Sequence, residues 1–375
     1  MIQLDLDERP QDERLKRLLY YLNADPGNSR LRSDAASMAL DCGEPEITRD
    51  LLVDAPAELN ERDTGLLGLA YIQLGEAAAA ARLFGKLVDE GVADPAIRFN
   101  LAWSLALEKQ FGQALELLDE QVTAQLPQAA MLEVQLLHEK GEFDRAAEVA
   151  RHHLAQFPED IGLAAAVSVL ALDIEDLELA RASAITGGDH PDALTTLGTL
   201  ELGEQQIDRA LEHFNAALAQ NGSVPRAWVG RGLAELLIGD KASAAADLDR
   251  GAELFRDHIG SWIAAGWAHL IGGDLAEARS RFDRALKIDD NFAESHGSLA
   301  VVDVLEGKFA EAEKETAVAL RLDRKCFSGG LARALLTARS GDAKSARSLF
   351  EKILATPINE RGDTVALALA KLGLR

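Results

Sequence analysis

A single alanine recurs along the chain at a nearly fixed interval: Ala80, Ala114, Ala146, Ala180, Ala210, Ala244, Ala278, Ala312 and Ala346. From Ala210 onward every step is 34 residues, whereas the earlier steps mix 34 with 32 and the step from Ala180 to Ala210 is 30. A fixed period of this length means stacked copies of one supersecondary unit, because such a unit cannot bury its apolar face alone. The 375 residues are also too many for one ordinary core.

The residues around each alanine define the unit. Twelve positions earlier stands a small residue (Gly68, Ala102, Ser168, Gly198, Gly232, Gly266, Ala300, Ala334), with Val134 the exception. Four positions later stands a large one in most copies (Phe84, Leu118, Phe214, Leu248, Phe282, Phe350). Small facing large at helical spacing lets two helices interlock at close range. Five positions before the alanine, Gly75, Gly141, Gly239, Gly273, Gly307 and Gly341 recur, usually followed by Asp or Glu. Glycine ends one helix in a left-handed conformation and the acid starts the next, so each unit is a helical hairpin. Helices of this length are marginal alone and depend on their neighbours for stability. A weaker first unit spans residues 31–52, with Thr48 where the alanine would stand, and one helix near residues 13–23 precedes it. That makes ten hairpins. The last helix, residues 364–374, reads TVALALAKLGL with one charge; it is a cap over the final hairpin or a surface for self-association.

The run Leu67-Gly68-Leu69-Ala70-Tyr71 with Ala80 and Phe84, the pairs Trp228 and Gly232 and Trp262 and Gly266, and Pro158 after Ala146 resemble the tetratricopeptide repeat. The resemblance covers roughly residues 30–361. It implies an all-α fold, an α-solenoid of about ten hairpins with terminal capping helices, wound as a right-handed superhelix. Gly187, Gly188 and Pro191 fall where the second helix of the Ala180 unit should still be running, so that helix must be truncated. Two half-solenoids are therefore expected, residues 1–187 and 188–375, with 184–193 a candidate hinge.

Composition narrows the partners. With 39 basic against 62 acidic residues the net charge is −23, which repels phosphate backbones and anionic head groups. Nucleic acid and direct membrane binding are disfavoured. Cys42 and Cys326 are the only cysteines and suit neither a disulfide framework nor a zinc pattern. No basic segment followed by an apolar run opens the chain, and no apolar window approaches a membrane span. These features predict a cytoplasmic protein, and an excess of Arg over Lys with abundant Ala points to a bacterial one.

Enzyme chemistry finds little support. The eight histidines show no metal spacing, and His152 and His153 face different sides of a helix. Gly230 and Gly232 begin a dinucleotide-like loop but lack its third glycine and preceding strand, so the repeat explains them better. Asp189-His190, in the irregular segment, is the one polar pair that could motivate an active site, and a solvated loop is the simpler account. No catalytic residue, metal or cofactor is expected.

The tryptophans form two series. Trp228 and Trp262, sixteen before the alanine, lie on the packing face, where truncation of a large core aromatic costs about 3–5 kcal/mol. Trp103 and Trp267, eleven before it, occupy positions that the resemblance assigns to a concave groove. The groove series comprises Leu69, Trp103, Leu233, Trp267, Val301 and Leu335 at that register, and Phe99, Met131, Val229, Ile263 and Leu331 four residues earlier. The Lys and Asn by which co-chaperones of the family grip a partner's C-terminal carboxylates are absent from both series. An apolar groove suits an amphipathic helix or apolar extended segment of a protein partner, anchored by aromatics. The alternative is that these residues touch the chain's own neighbouring repeats.

Overall fold

The computed structural model describes residues 12–54 and 59–356. Among these there are 22 helices and no strand. Packing divides the chain into two compact units, Met1–Ile174 and Glu175–Arg375. In the first, the helix Glu13–Ala24 precedes four hairpins: Ser29–Asp41 with Pro45–Val53, Glu61–Gln73 with Ala77–Asp89, Pro95–Leu107 with Phe111–Leu117, and Pro127–Glu139 with Phe143–Gln156. The helix Ile161–Asp173 follows them. In the second, Leu177–Gly187 precedes five: Pro191–Gly203 with Ile207–Gln220, Pro225–Ile238 with Lys241–Phe255, Ile259–Gly272 with Leu275–Ile288, Ala293–Leu305 with Phe309–Leu322, and Phe327–Arg339 with Ala343–Leu354. The division falls inside the repeat that carries Ala180, between its two helices. The apolar segment 364–374 lies outside the described residues.

The recurrent alanines sit at the crossing of each hairpin. Eight of the nine have no exposed surface, and Ala346 is nearly buried. Thr48 takes the same place in the first hairpin, where its hydroxyl donates to the Ala36 carbonyl, 2.8 Å away in the facing helix. The small-and-large pairs interlock as the spacing required. A methyl on Gly68 would stand 2.6 Å from the Phe84 ring, one on Gly266 2.4 Å from Phe282, and one on Gly232 2.8 Å from Leu248. Glycine at these positions lets the two helix backbones close to a distance that no side chain permits.

The hairpin turn keeps its left-handed residue throughout. Gly75, Gly141, Gly239, Gly273, Gly307 and Gly341 have positive φ, and so do Lys109, Glu175 and Gln205, which hold the same register in the repeats without glycine. The following acid caps the next helix only where it is aspartate. Asp240, Asp274 and Asp342 accept from the amides of Ser243, Glu277 and Ser345, while Glu76 and Glu142 make no such bond. The shorter side chain is the one that reaches back to the third amide.

Two local features depart from the regular pattern. The second helix of the Ala114 repeat breaks after Leu117, and a one-turn helix, Glu120–Thr123, follows. Asp119 accounts for the break: it caps the Val122 amide and pairs with Arg98 at 2.8 Å. The Leu177–Gly187 helix is truncated as expected, at 11 residues against 14 or 15 for the second helices of the next four hairpins. Gly188 carries the turn at φ +54. His190 then starts the next helix by accepting from the Asp192 amide, and Gln220 donates to the Asp189 carbonyl at 2.7 Å. The Asp189-His190 pair thus serves a helix start and a loop anchor.

Trp228 and Trp262 are structural, but not as buried core. Both are half-exposed. Each indole N–H donates to a carbonyl six residues back, Trp228 to Gly222 at 2.9 Å and Trp262 to Arg256 at 2.8 Å. At the same register His296 places Nε2 2.9 Å from the Asp290 carbonyl. The ring ties down the turn between repeats, and a guanidinium covers its face: Arg231 lies 4.7 Å above Trp228 and Arg284 5.8 Å above Trp262.

Candidate partner-binding faces

The expected groove positions recur every four residues on the first helix of each hairpin, so they share one helix face. In the first unit Leu69 is half-buried against the Phe84 and Leu101 cluster. Phe99 and Trp103 pair with ring centroids 6.3 Å apart over a core that includes Ala102 and Leu132. Met131, also half-buried, puts its sulfur where a methyl on Gly162 would be 3.2 Å away.

In the second unit these positions are drawn further into the packing. Val229 rests on the Leu248, Ala265 and Ala268 cluster, and Ile263 on that of Phe282. Trp267 wedges between repeats: its ring lies 6.1 Å from Phe282 and 6.3 Å from Phe327, and its N–H donates to Ser298 Oγ at 3.2 Å. Leu331 and Leu335 are half-buried on the Val301 and Ala332 cluster. Val301 itself is 2% exposed and belongs to the core. Its placement in a groove accessible to a partner is corrected: the neighbouring first helix, Phe327–Arg339, covers it. Leu233 is 38% exposed.

The most exposed apolar groups on this face come one helical step further, at a register the sequence reading passed over. Leu107 follows Trp103 by four residues, Ile271 follows Trp267 and Leu305 follows Val301, with exposures of 49%, 47% and 51%. The signal was present in the sequence, since a face defined at two positions four apart continues to the next. Its proximity to the turn glycine hid it.

Charged groups pair mainly across and along the repeats. Arg231 binds Asp247 and Asn215, Arg281 and His269 both bind Asp249, and Arg279 bridges Asp303 and Glu306. Further histidines meet one carboxylate each: His138 with Asp173, His153 with Glu133, His190 with Asp192, His213 with Glu201 and His296 with Glu315. Among the described residues no group of three or more His, Cys, Asp or Glu is placed to hold a metal ion. Burial, reinforced by Glu294, pushes the Cys326 thiol up to about 12, which leaves it a poor nucleophile at neutral pH. Burial and the neighbouring Asp247 push Glu235 up to about 7, against the pull of Arg231. No described helix is long and apolar enough to cross a membrane.

Two crystal structures of MamA are similar to part of the chain. One is 16% identical, covers 42% of this chain and 92% of its own, and has a TM-score of 0.35; the other is 17% identical, covers 44% and 92%, and has a TM-score of 0.38. No curated protein matches. The family model described as tetratricopeptide repeat matches residues 66–130, within the first unit, and 195–259, within the second. Its hairpin, with a small residue against a large one and a left-handed turn, continues through the neighbouring repeats, and the chain carries tetratricopeptide repeats in both units.

Proposed function

We propose that the chain is a non-catalytic scaffold that binds an apolar or amphipathic segment of a protein partner along the first-helix face of its repeats. The observation that carries this reading is the recurrence of exposed leucine and isoleucine at one register, Leu107 in the first unit and Ile271 and Leu305 in the second, beside the exposed Leu233 and the half-buried Phe99, Trp103, Ile263 and Trp267. Large apolar groups held at intervals on rigid helices suit the anchor residues of a partner helix. Trp103 remains a candidate anchor, whereas Trp267 acts through the wall it builds between repeats.

A photo-reactive residue placed at Ile271 or Leu305, with Arg250 on a second helix as control, tests the face in source-cell lysate. The expected result is a defined cross-linked protein from both face positions and none from Arg250, followed by direct titration with that purified protein. Equal cross-linking from Arg250 would sink the assignment.

A further inference from the structure

The turn that precedes the Pro225–Ile238 helix carries Asn221-Gly222, the only Asn-Gly step in the chain. Asn221 ends the Ile207–Gln220 helix in an extended conformation, at φ −142 and ψ 96. Asp289 and Asp323 hold the same register in the Ala278 and Ala312 repeats, eleven residues after the alanine, at φ −148 and −139. All three side chains accept from the amide two residues on: Asn221 from Ser223 at 2.9 Å, and Asp289 from Asn291 and Asp323 from Lys325 at 2.8 Å. A carboxylate therefore suits this position as well as a carboxamide does.

The fold does not demand a glycine beside it. Gly222 is exposed, its φ is not positive, and a methyl on it would meet only the Leu218 carbonyl, 3.9 Å away. Arg256, Asp290 and Arg324 stand at this register in the next three repeats. The missing side chain has another consequence: it leaves the Gly222 nitrogen open to the Asn221 side chain. Among the described residues no group accepts from the Gly222 N–H or from Asn221 Nδ2, so neither is held by a hydrogen bond. The Ser223 amide, donating to Asn221 Oδ1, draws charge from Cγ and stays in place as that oxygen becomes an oxyanion. Asn221 and Ser223 are both exposed, so water and hydroxide reach the step.

We propose that Asn221 is a site of spontaneous modification, at which the chain reacts with itself and with water. The Gly222 amide gives its proton to hydroxide, and its nitrogen attacks Asn221 Cγ. The N–Cγ bond forms, the Cγ–Nδ2 bond breaks and the amine leaves as ammonia with a proton from water, which closes a five-membered imide. Water then opens either carbonyl of the imide. Opening at Cγ gives aspartate, the residue of the two later repeats, and the turn persists. Opening at the main-chain carbonyl gives isoaspartate, which routes the main chain through Cβ and Cγ and lengthens it by one carbon. That insertion displaces the Gly222 carbonyl, which accepts the Trp228 indole N–H at 2.9 Å, so the isoaspartate form loses this tie between repeats.

The test is to age the folded full-length chain at 37 °C, at pH 6 and pH 8, and to follow the tryptic peptide 210–226 by mass spectrometry with electron-transfer fragmentation, which separates the two products. The expected result is a gain of about 1 Da at Asn221, the exchange of NH2 for OH, with both products present and a faster rate at pH 8. Gly222→Ala, which the turn has room for, should slow the reaction by roughly tenfold or more. Asn221→Asp should unfold with the wild type, whereas the isoaspartate form, isolated by ion exchange, should unfold about 2–4 °C lower. Absence of a gain at Asn221 in the folded chain, a rate that Gly222→Ala does not lower, or aspartate formed without isoaspartate would overturn the proposal. An isoaspartate form as stable as Asn221→Asp would overturn the loss of the Trp228 tie.

Discussion

Glu235 is half-buried, with its Oε2 atom shielded from water and unpartnered, and the consequence is a pH-dependent stability that one substitution should remove. Its carboxyl, pushed up to about 7, keeps a proton in the folded chain that the unfolded chain releases near the ordinary value of 4.5. Stability from this group is therefore complete below pH 4.5 and lost as pH rises through 7. Glu235→Gln should match the wild type near pH 4.5 and exceed it at pH 8 by about 1–2 kcal/mol, read from denaturation at the two pH values. An equal difference at both values would show that the effect is not ionisation. A second residue-scale cost lies in the turns. Lys109 and Gln205 hold φ of +59 and +62 where seven other repeats use glycine. Lys109→Gly or Gln205→Gly should stabilise by about 0.5–1 kcal/mol, and Gly273→Ala should destabilise by about 1–2 kcal/mol, by the same denaturation measurement. A loss of stability in both glycine variants would mean that Lys109 and Gln205 make compensating contacts.

Between two helices of a hairpin, the limiting quantity is the distance their backbones can reach. Gly266 lies so close to the Phe282 ring that even a methyl must displace it, so Gly266→Ala should cost about 1–3 kcal/mol, and a smaller ring-site residue in Gly266→Ala/Phe282→Leu should recover part of that loss. Thermal unfolding of the single and double variants measures it. This packing was legible in the sequence because a 34-residue period repeats the same small-and-large pair many times. The role of Trp262 was less legible, since a tryptophan at a packing register reads as core. The structure instead gives its N–H to Arg256, the centre of a tight turn at φ +59 closed by the Asp257 amide on the Phe255 carbonyl at 2.7 Å. Trp262→Phe keeps the ring and loses the bond, and should cost about 0.5–1.5 kcal/mol rather than the value for emptying a core. The break at Leu118-Asp119 was also missed. There a single aspartate can either continue a helix or cap a new one, and Arg98, from the other helix of the hairpin, tips the choice.

Across the whole chain, the candidate site was legible as a face but not as a set of exposed residues, because exposure depends on what the next repeat covers. Trp267 and Val301 have the register of a groove and the burial of a wall, since Phe327–Arg339 packs beside them; Ile271 and Leu305, one step nearer the turn, escape that cover. This difference separates two kinds of substitution. Trp267→Ala removes packing against Phe282 and Phe327, so any loss of partner binding is mixed with a loss of stability. Ile271→Glu/Leu305→Glu places charge on groups already about half in water, so the fold should hold within about 1 kcal/mol while an apolar partner segment loses two contacts. At about 1–2 kcal/mol per contact, titration with the cross-linked partner should show a fall in affinity of roughly 30- to 1,000-fold. Leu107→Glu tests the first unit in the same assay. A partner that binds all of these variants as tightly as the wild type does not use the first-helix face of either unit, and the proposed function fails with the chain still folded.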